Sequence, residues 1–410
     1  MGSVREIILN ENQSKVVEEA VHWYWHSSSN LFQIDGEAGT GKSVVLNEIK
    51  RRLGLQTQEV LPMAYTGQAA IVMRTKGFEN AITCHSGLFE FVYEPIIDKA
   101  TGMPVMDKQF NMPVRAWKLV PRDFSVTEIK LIIIDEAWMT PLSFRKYIER
   151  TGIKTIVAGD SGQLPPVNDQ PAYLVDGQIH HLTELMRQSY DSPIVYLARR
   201  ARRGLPIEYG FYGNDVAVID VDELSNEMIS RSNIVVCNKN KTREFYNFKV
   251  RREILGTDSP TPIYGERMIC RKNNWSLTID GISLANGLVG TVIRPPKIDT
   301  YSGKTYRMDF LPDLLQSPFM NIECDFEYLM ADFTKKQSIK NSPYSTGEKF
   351  EYAYASTCHL VQGSEYPYGI YIEEFLSPQI QNNLNYTAIT RFRNKLIYCK
   401  RRPKSYFNGW

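Results

Sequence analysis

Eight consecutive residues, Gly36-Glu37-Ala38-Gly39-Thr40-Gly41-Lys42-Ser43, keep the spacing G-x-x-x-x-G-K-S. Glycines so spaced let backbone N–H groups close on phosphate oxygens, and a helix that follows turns its positive end toward them. In that chemistry Gly36, Gly39, Thr40 and Gly41 shape the cradle, Lys42 reaches the β- and γ-phosphates of a nucleoside triphosphate, and Ser43 ligates Mg2+. A plain glycine turn has no need of the Lys-Ser pair. Two more groups suit the same reaction. Asp135 and Glu136 follow the apolar run Leu131–Ile134, so Asp135 can hold Mg2+ through water while Glu136 orients or deprotonates the attacking water. Gln163, within Gly159–Val167, can hydrogen-bond the γ-phosphate or that water, and Pro165 and Pro166 stiffen its loop.

These groups need strands to carry them. Apolar runs that suit buried parallel strands recur at Leu31–Ile34, Val60–Ala64, Leu131–Ile134 and Thr155–Ala158, between helix-like stretches Asn12–Trp25 and Ser43–Leu53. The alternation predicts an α/β fold with the phosphate loop after its first strand. Asn10 and Gln13 have capping-box spacing at the start of the first helix. Between 88 and 122 the pattern lapses into a projecting β-hairpin, Val92–Asp98 and Met103–Phe110 about a turn at Lys99–Gly102. Further strand-like runs at Ile234–Cys237, Arg267–Cys270, Gly369–Ile372 and Leu396–Cys399 predict a second α/β unit. It is interrupted by a small β unit over 290–347, with a hairpin at Lys297–Asp309. The expected division is 1–180 and 181–410.

Composition narrows the function classes. With 410 residues, 43% hydrophobic and 23% charged, the chain can bury more than one core and is neither disordered nor fibrous. A net charge of +2 does not exclude a polyanionic partner, since gripping one strand needs only a local basic track. Arginine clusters such as Arg199, Arg200, Arg202 and Arg203 read singly as solvated faces. Six cysteines lack any C-x-x-C spacing, and His22 with His26 makes at most half a metal site, so no structural metal or disulfide framework is expected. No apolar run reaches the length of a membrane span and no signal-peptide core opens the chain, so a soluble protein inside a cell is expected.

The motifs, in this order, resemble those of superfamily 1 helicases, in the branch that includes RecD and the phage Dda helicase. Beside the loop, the acidic pair and Gly159–Val167, the resemblance rests on Asn12-Gln13, Ala64–Ala70, Thr83–Ser86, Leu182–Gln188 with Asp191–Ile194, Asn286-Gly287 with Gly290, Thr357–Glu365 and Tyr386–Arg391. It implies two RecA-like parallel-sheet domains. A β-hairpin would be inserted in the first and a small SH3-like β-barrel in the second. It implies Gln13 and Glu365 as nucleotide contacts, and Arg187 and Arg391 as arginines facing the γ-phosphate. Thr66, Thr83, His85, Phe89, Thr357, His359 and Gln362 would contact nucleic acid. Phe89, Phe91 and Tyr93 share one strand face at the root of the hairpin, where core packing competes with base stacking. One departure stands out: Leu360 occupies the place where these helicases usually carry a lysine.

The implied activity is ATP-dependent and Mg2+-dependent unwinding, with 5′→3′ movement on single-stranded DNA, in replication, recombination or repair. The partners would be single-stranded and forked duplex DNA and a single-strand-binding or replication protein. The chain would act as a monomer in the cytoplasm of a bacterial or phage-infected cell. Two alternatives stay open: a viral-type superfamily 1 RNA helicase, and a nucleotide-switched remodeller that binds nucleic acid without unwinding it.

Overall fold

The computed structural model describes residues 8–106, 111–186, 192–299, 303–341 and 347–402. Its first part runs α1 (Glu11–His26), β1 (Leu31–Gly36), α2 (Lys42–Leu53), β2 (Val60–Ala64), α3 (Gly67–Thr75), β3 (Ile82–Thr83), α4 (Cys84–Leu88), β4 (Phe89–Pro95), β5 (Arg115–Pro121), β6 (Leu131–Asp135), α5 (Leu142–Arg150), β7 (Lys154–Gly159) and β8 (Ile179–Leu182). Six of these strands form a parallel sheet in the order β3-β2-β6-β7-β1-β8. Helices cover both faces, so interior strands carry no polar alternation: Leu131, Ile132, Ile133 and Ile134 are all fully buried. Each such side chain contributes about 1.5–3 kcal/mol, and one acid at Ile133 would forfeit that and bury a charge. The capping box forms as the sequence implies. Asn10 accepts from the Gln13 amide, and Gln13 accepts from that of Asn10.

The second part continues with α6 (Pro193–Arg202), β9 (Gly210–Tyr212), β10 (Val216–Asp220), β11 (Val235–Cys237) and α7 (Asn240–Lys249). The chain then builds a separate β unit from β12 (Arg267–Cys270), β13 (Asn274–Ile279), β14 (Ile282–Leu284), β15 (Val289–Val292), β16 (Lys297–Ile298), β17 (Thr305–Pro312), β18 (Phe319–Asp325) and β19 (Phe350–Tyr352), in which β13 and β14 pair only with each other, as a two-stranded ribbon. It returns as β20 (Ala355–Thr357), β21 (Tyr366–Ile372), α8 (Gln381–Ile389) and β22 (Phe392–Lys400). The second α/β sheet has the order β20-β11-β21-β22-β10-β9, parallel except for β9.

Three expectations shift. Arg267–Cys270, assigned to the second α/β sheet, lies inside the β unit, between β15 and β19. The β unit therefore spans Arg267–Tyr352 rather than 290–347. A four-residue buried run reads alike in either sheet, and only non-local pairing decides where it goes. The β unit is antiparallel in the order β16-β17-β15-β12-β19 with β18 on β17, and a bridge from Cys324 to Glu348 brings its two ends together, closing the ring. The projecting hairpin also differs. β4 pairs with β5 from Phe89↔Pro121 to Pro95↔Arg115, not with Met103–Phe110, of which 107–110 lie outside the described residues. Residues 103–106 fold back at its tip through bridges Ile97↔Pro104 and Met106↔Pro113, and the turn at Lys99–Gly102 is tied by Gly102 N–H to the Asp98 carbonyl.

All six cysteines are buried and unpaired. Among the described residues, no helix is long and apolar enough to cross a membrane.

Candidate functional site

The adjacency β6-β7-β1 sets three strand ends side by side: β1 leads into the glycine loop, β6 into Asp135-Glu136 and β7 into Asp160–Gln163. Gly39 and Gly41 take φ of 86° and 82°, left-handed values that L side chains rarely adopt. A Cβ at Gly41 would stand 2.5 Å from the Gln13 amide nitrogen. The loop opens α2, whose first residues are Lys42 and Ser43. Lys42 Nζ donates to the carbonyls of Gly36 and Glu37 at 2.7 and 3.3 Å.

Lys42, Ser43, Asp135, Glu136 and Gln163 line one cleft of about 420 Å3, together with Gly39, Gly41 and Lys76. Thr390, Arg391 and Glu365 reach it from the second sheet. A larger cavity of about 1020 Å3, between α1 and α5 and flanked by Leu31 and Ile153, lies at the opposite end of the first sheet and includes none of the phosphate-loop residues.

The acids are poised differently. Burial, then the adjacent Glu136, pushes the Asp135 carboxyl above its usual range, while Lys76 and Lys42 pull it back. Glu136 sits at φ 52°, a strained position for a side-chain-bearing residue of the kind found at active sites. Gln163 Nε2 lies 3.5 Å from Glu136 Oε2, and Gln163 Oε1 is buried without a hydrogen-bond partner. An orphaned acceptor beside a carboxylate fits a water or a protonated oxygen between them. Ser43 and Asp135 are the hard oxygen donors that Mg2+ takes alongside phosphate oxygens, so the donor set fits that ion, which would supply charge neutralisation at the β- and γ-phosphates.

Gln13 is fully buried: its amide donates to the Thr40 carbonyl at 2.9 Å and contacts Met186 Sδ at 3.0 Å, so it braces the loop from behind. Arg391 is buried and tethered, donating to the carbonyls of Thr387 and Ser364 and to Thr390 Oγ1. Arg187 lies outside the described residues. Glu365 pairs with Lys76 at 2.9 Å and with Arg393.

The two sheets meet through side chains gripping main chain. Thr387 accepts from Leu164 N–H at 2.9 Å, Gln362 donates to the Leu164 carbonyl at 2.8 Å, and Asn383 donates to the carbonyls of Gly162 and Gln163. Tyr386 accepts from the amide of Ala38 in the glycine loop and bonds Asp160. Gln362, expected at nucleic acid, thus holds the main chain of the Gln163 loop. Arg199 and Arg202, read from sequence as a solvated cluster, cross the interface: Arg199 pairs with Glu37 at 2.8 Å and Arg202 with fully buried Asp160 at 2.8 Å. The signal was present in α6, where buried Ile194, Leu197, Ala198 and Ala201 mark a face beside which positions 199 and 202 must fall.

Thr66 stands just past the end of β2 and Thr83 is the last residue of β3, and each caps the next helix, accepting from Ala69 and Ser86. Thr357 ends β20 and is buried, and burial lowers the His359 pKa. Phe89 is 5% exposed, packed against Phe144 and Tyr147. Phe91 instead stacks on Trp275 of β13 at 4.5 Å, and Trp275 also stacks on His85 at 5.5 Å. Tyr93 is half exposed. Trp275 was not legible, because nothing in its local pattern joins it to a strand nearly two hundred residues earlier.

An AAA domain model matches residues 8–221, and a UvrD-like helicase C-terminal domain model matches residues 352–398. No curated protein sequence matches the chain. Among solved structures it is similar to Pif1 of Bacteroides bound to single-stranded DNA, at 18% identity and TM-score 0.55, covering 96% of this chain and 92% of that one. It is similar to the Bacteroides Pif1 helicase with ADP-AlF3 and single-stranded DNA, at 16% identity and TM-score 0.54, with coverage of 96% and 92%. The Pif1 helicase of Candida albicans matches at 16% identity and TM-score 0.50, covering 96% and 94%. The shared feature is the α/β architecture with two parallel sheets. The chain belongs to the AAA domain family.

Proposed function

We propose that the chain is an ATP-dependent DNA helicase of the RecD/Dda branch that moves 5′→3′ on single-stranded DNA and separates duplex ahead of it. One observation carries the reading: the phosphate-loop cleft is completed by residues of both sheets, so a bound triphosphate would be held jointly by the two halves of the molecule. The helicase C-terminal match and the Pif1-like fold support it.

In this reading Lys42 binds the β- and γ-phosphates, and Ser43 and Asp135 hold Mg2+. Glu136 takes the proton of the attacking water, which Gln163 orients. Arg391 offsets charge developing on the γ-phosphoryl oxygens, with Arg187 as its companion, a role worth ~10³–10⁵ in rate for arginine fingers generally. Because Thr387, Gln362 and Asn383 hold the main chain of the Gln163 loop, loss of the terminal phosphate changes how the halves sit. That movement shifts the grips at Thr66, Thr83, His85, Thr357 and His359 along a strand. The closed β unit is the SH3-like barrel of this branch, and the β4–β5 hairpin is the wedge. A base-pair step is worth ~1.4 kcal/mol on average, so a wedge need only trap a fraying junction. The chain acts as a monomer, with a single-strand-binding or replication protein at its substrate.

Unwinding of forked duplexes with a 5′ or a 3′ tail, in DNA and RNA versions, tests the proposal. Separation of the 5′-tailed DNA is expected. ATP turnover with no strand separation would make the chain a remodeller, and preference for the RNA forks would make it an RNA helicase.

A further inference from the structure

Lys76 is the C-cap of α3 and lines the same cleft as Lys42, Asp135, Glu136 and Gln163. Its main chain is fixed relative to the phosphate loop: the Asn47 amide, on α2, donates to the carbonyls of Ser43 and Lys76 at 2.9 and 2.6 Å. Gly77 follows at φ 100°, and a Cβ there would lie 2.9 Å from Asn47 Oδ1, so the approach of the two segments is built in. From that anchored point a four-carbon arm, 30% exposed, carries its ammonium to Glu365 on the other side of the cleft at 2.9 Å. Glu365 also pairs with Arg393, so two cations, one from each half, share one carboxylate.

A γ-phosphate offers several charged acceptors where Glu365 offers two, and an ammonium on a flexible stem follows the denser charge. We propose that Lys76 is a further nucleotide-contacting residue, which exchanges Glu365 for the terminal phosphate oxygens of a bound triphosphate. The exchange breaks the Lys76–Glu365–Arg393 bridge between the halves, so the cross-domain ion link reports whether the third phosphate is present. This inference rests on reading the cleft as a triphosphate site, but not on strand separation.

The test is nucleotide binding by the full chain, using mant-labelled non-hydrolysable ATP analogue and mant-ADP. For Lys76→Met we expect triphosphate affinity to fall ~10-fold or more, the loss of one charge-assisted contact, with ADP affinity within twofold of the parent. Lys76→Arg should restore most of the difference. Equal weakening of both nucleotides, or no change in either, would overturn the assignment. A parent chain that binds neither nucleotide would sink the cleft reading with it, whereas binding without unwinding would fault only the helicase proposal.

Discussion

His85 should make the fold acid-sensitive in a way one substitution removes. Its ring is packed among Phe144, Trp275 and Tyr65, and burial lowers its pKa from 6.5 to about 4. Unfolding returns the imidazole to its ordinary value, so below pH 6.5 the unfolded chain binds a proton that the folded chain refuses. Stability is whole above pH 6.5 and is lost as the pH falls toward 4. Between those two values the loss is about 2 kcal/mol at pH 5 and levels off at about 3.4 kcal/mol below pH 4. His85→Phe keeps a ring in the cluster and abolishes the titration. Urea unfolding of both proteins at pH 8 and pH 5, followed by tryptophan fluorescence, should show the parent losing about 2 kcal/mol more than the variant over that interval. Parallel losses would mean that the imidazole is open to protons in the native state, and that the Tyr65–His85–Trp275 cluster does not exclude water.

Trp275→Ala removes two ring stacks that dock β13 on β4 and α4, worth together about 1–3 kcal/mol. Amide exchange in Phe89–Pro95 should then quicken by ~5-fold or more at unchanged nucleotide turnover, and unaltered exchange would show that the hairpin stands without that support. Hydrogen bonds first from Arg51 and then from Arg52 hold Glu48 down to about 2 against an ordinary 4.5. Its contribution should be complete above pH 4.5 and fade as the pH drops toward 2. The stability gap between the parent and Glu48→Gln therefore narrows between pH 5 and pH 3; a constant gap would refute the ion pairs.

What could be read in advance follows from how local its cause is. Strands β1, β2, β6 and β7 are continuous apolar runs because both faces are covered, and a run of that kind needs no knowledge of its neighbours. The glycine loop and the capping box are likewise satisfied within a few residues. Arg267–Cys270 could not be assigned, since its burial is the same whichever sheet takes it. Gln13 closes the capping box that its spacing implies, while its bond to the Thr40 carbonyl, which joins it to the phosphate loop, depends on a contact 27 residues away that no local pattern shows. Lys76, Arg199 and Arg202 owe their places to a surface that exists only once two sheets face each other.

The contacts that Thr387, Gln362 and Asn383 make with the Gln163 loop fall on its amide and carbonyl groups. Recognition of that sort is blind to side-chain identity, but Leu164 is also fully buried in the apolar core of the second sheet, so it must stay apolar. The loop cannot drift in length, because one inserted residue would misalign every contact at once. Gly162 is constrained too, since a methyl there would lie 2.6 Å from the Arg202 guanidinium carbon. Relatives of this chain should therefore keep the spacing between Asp160 and Pro165.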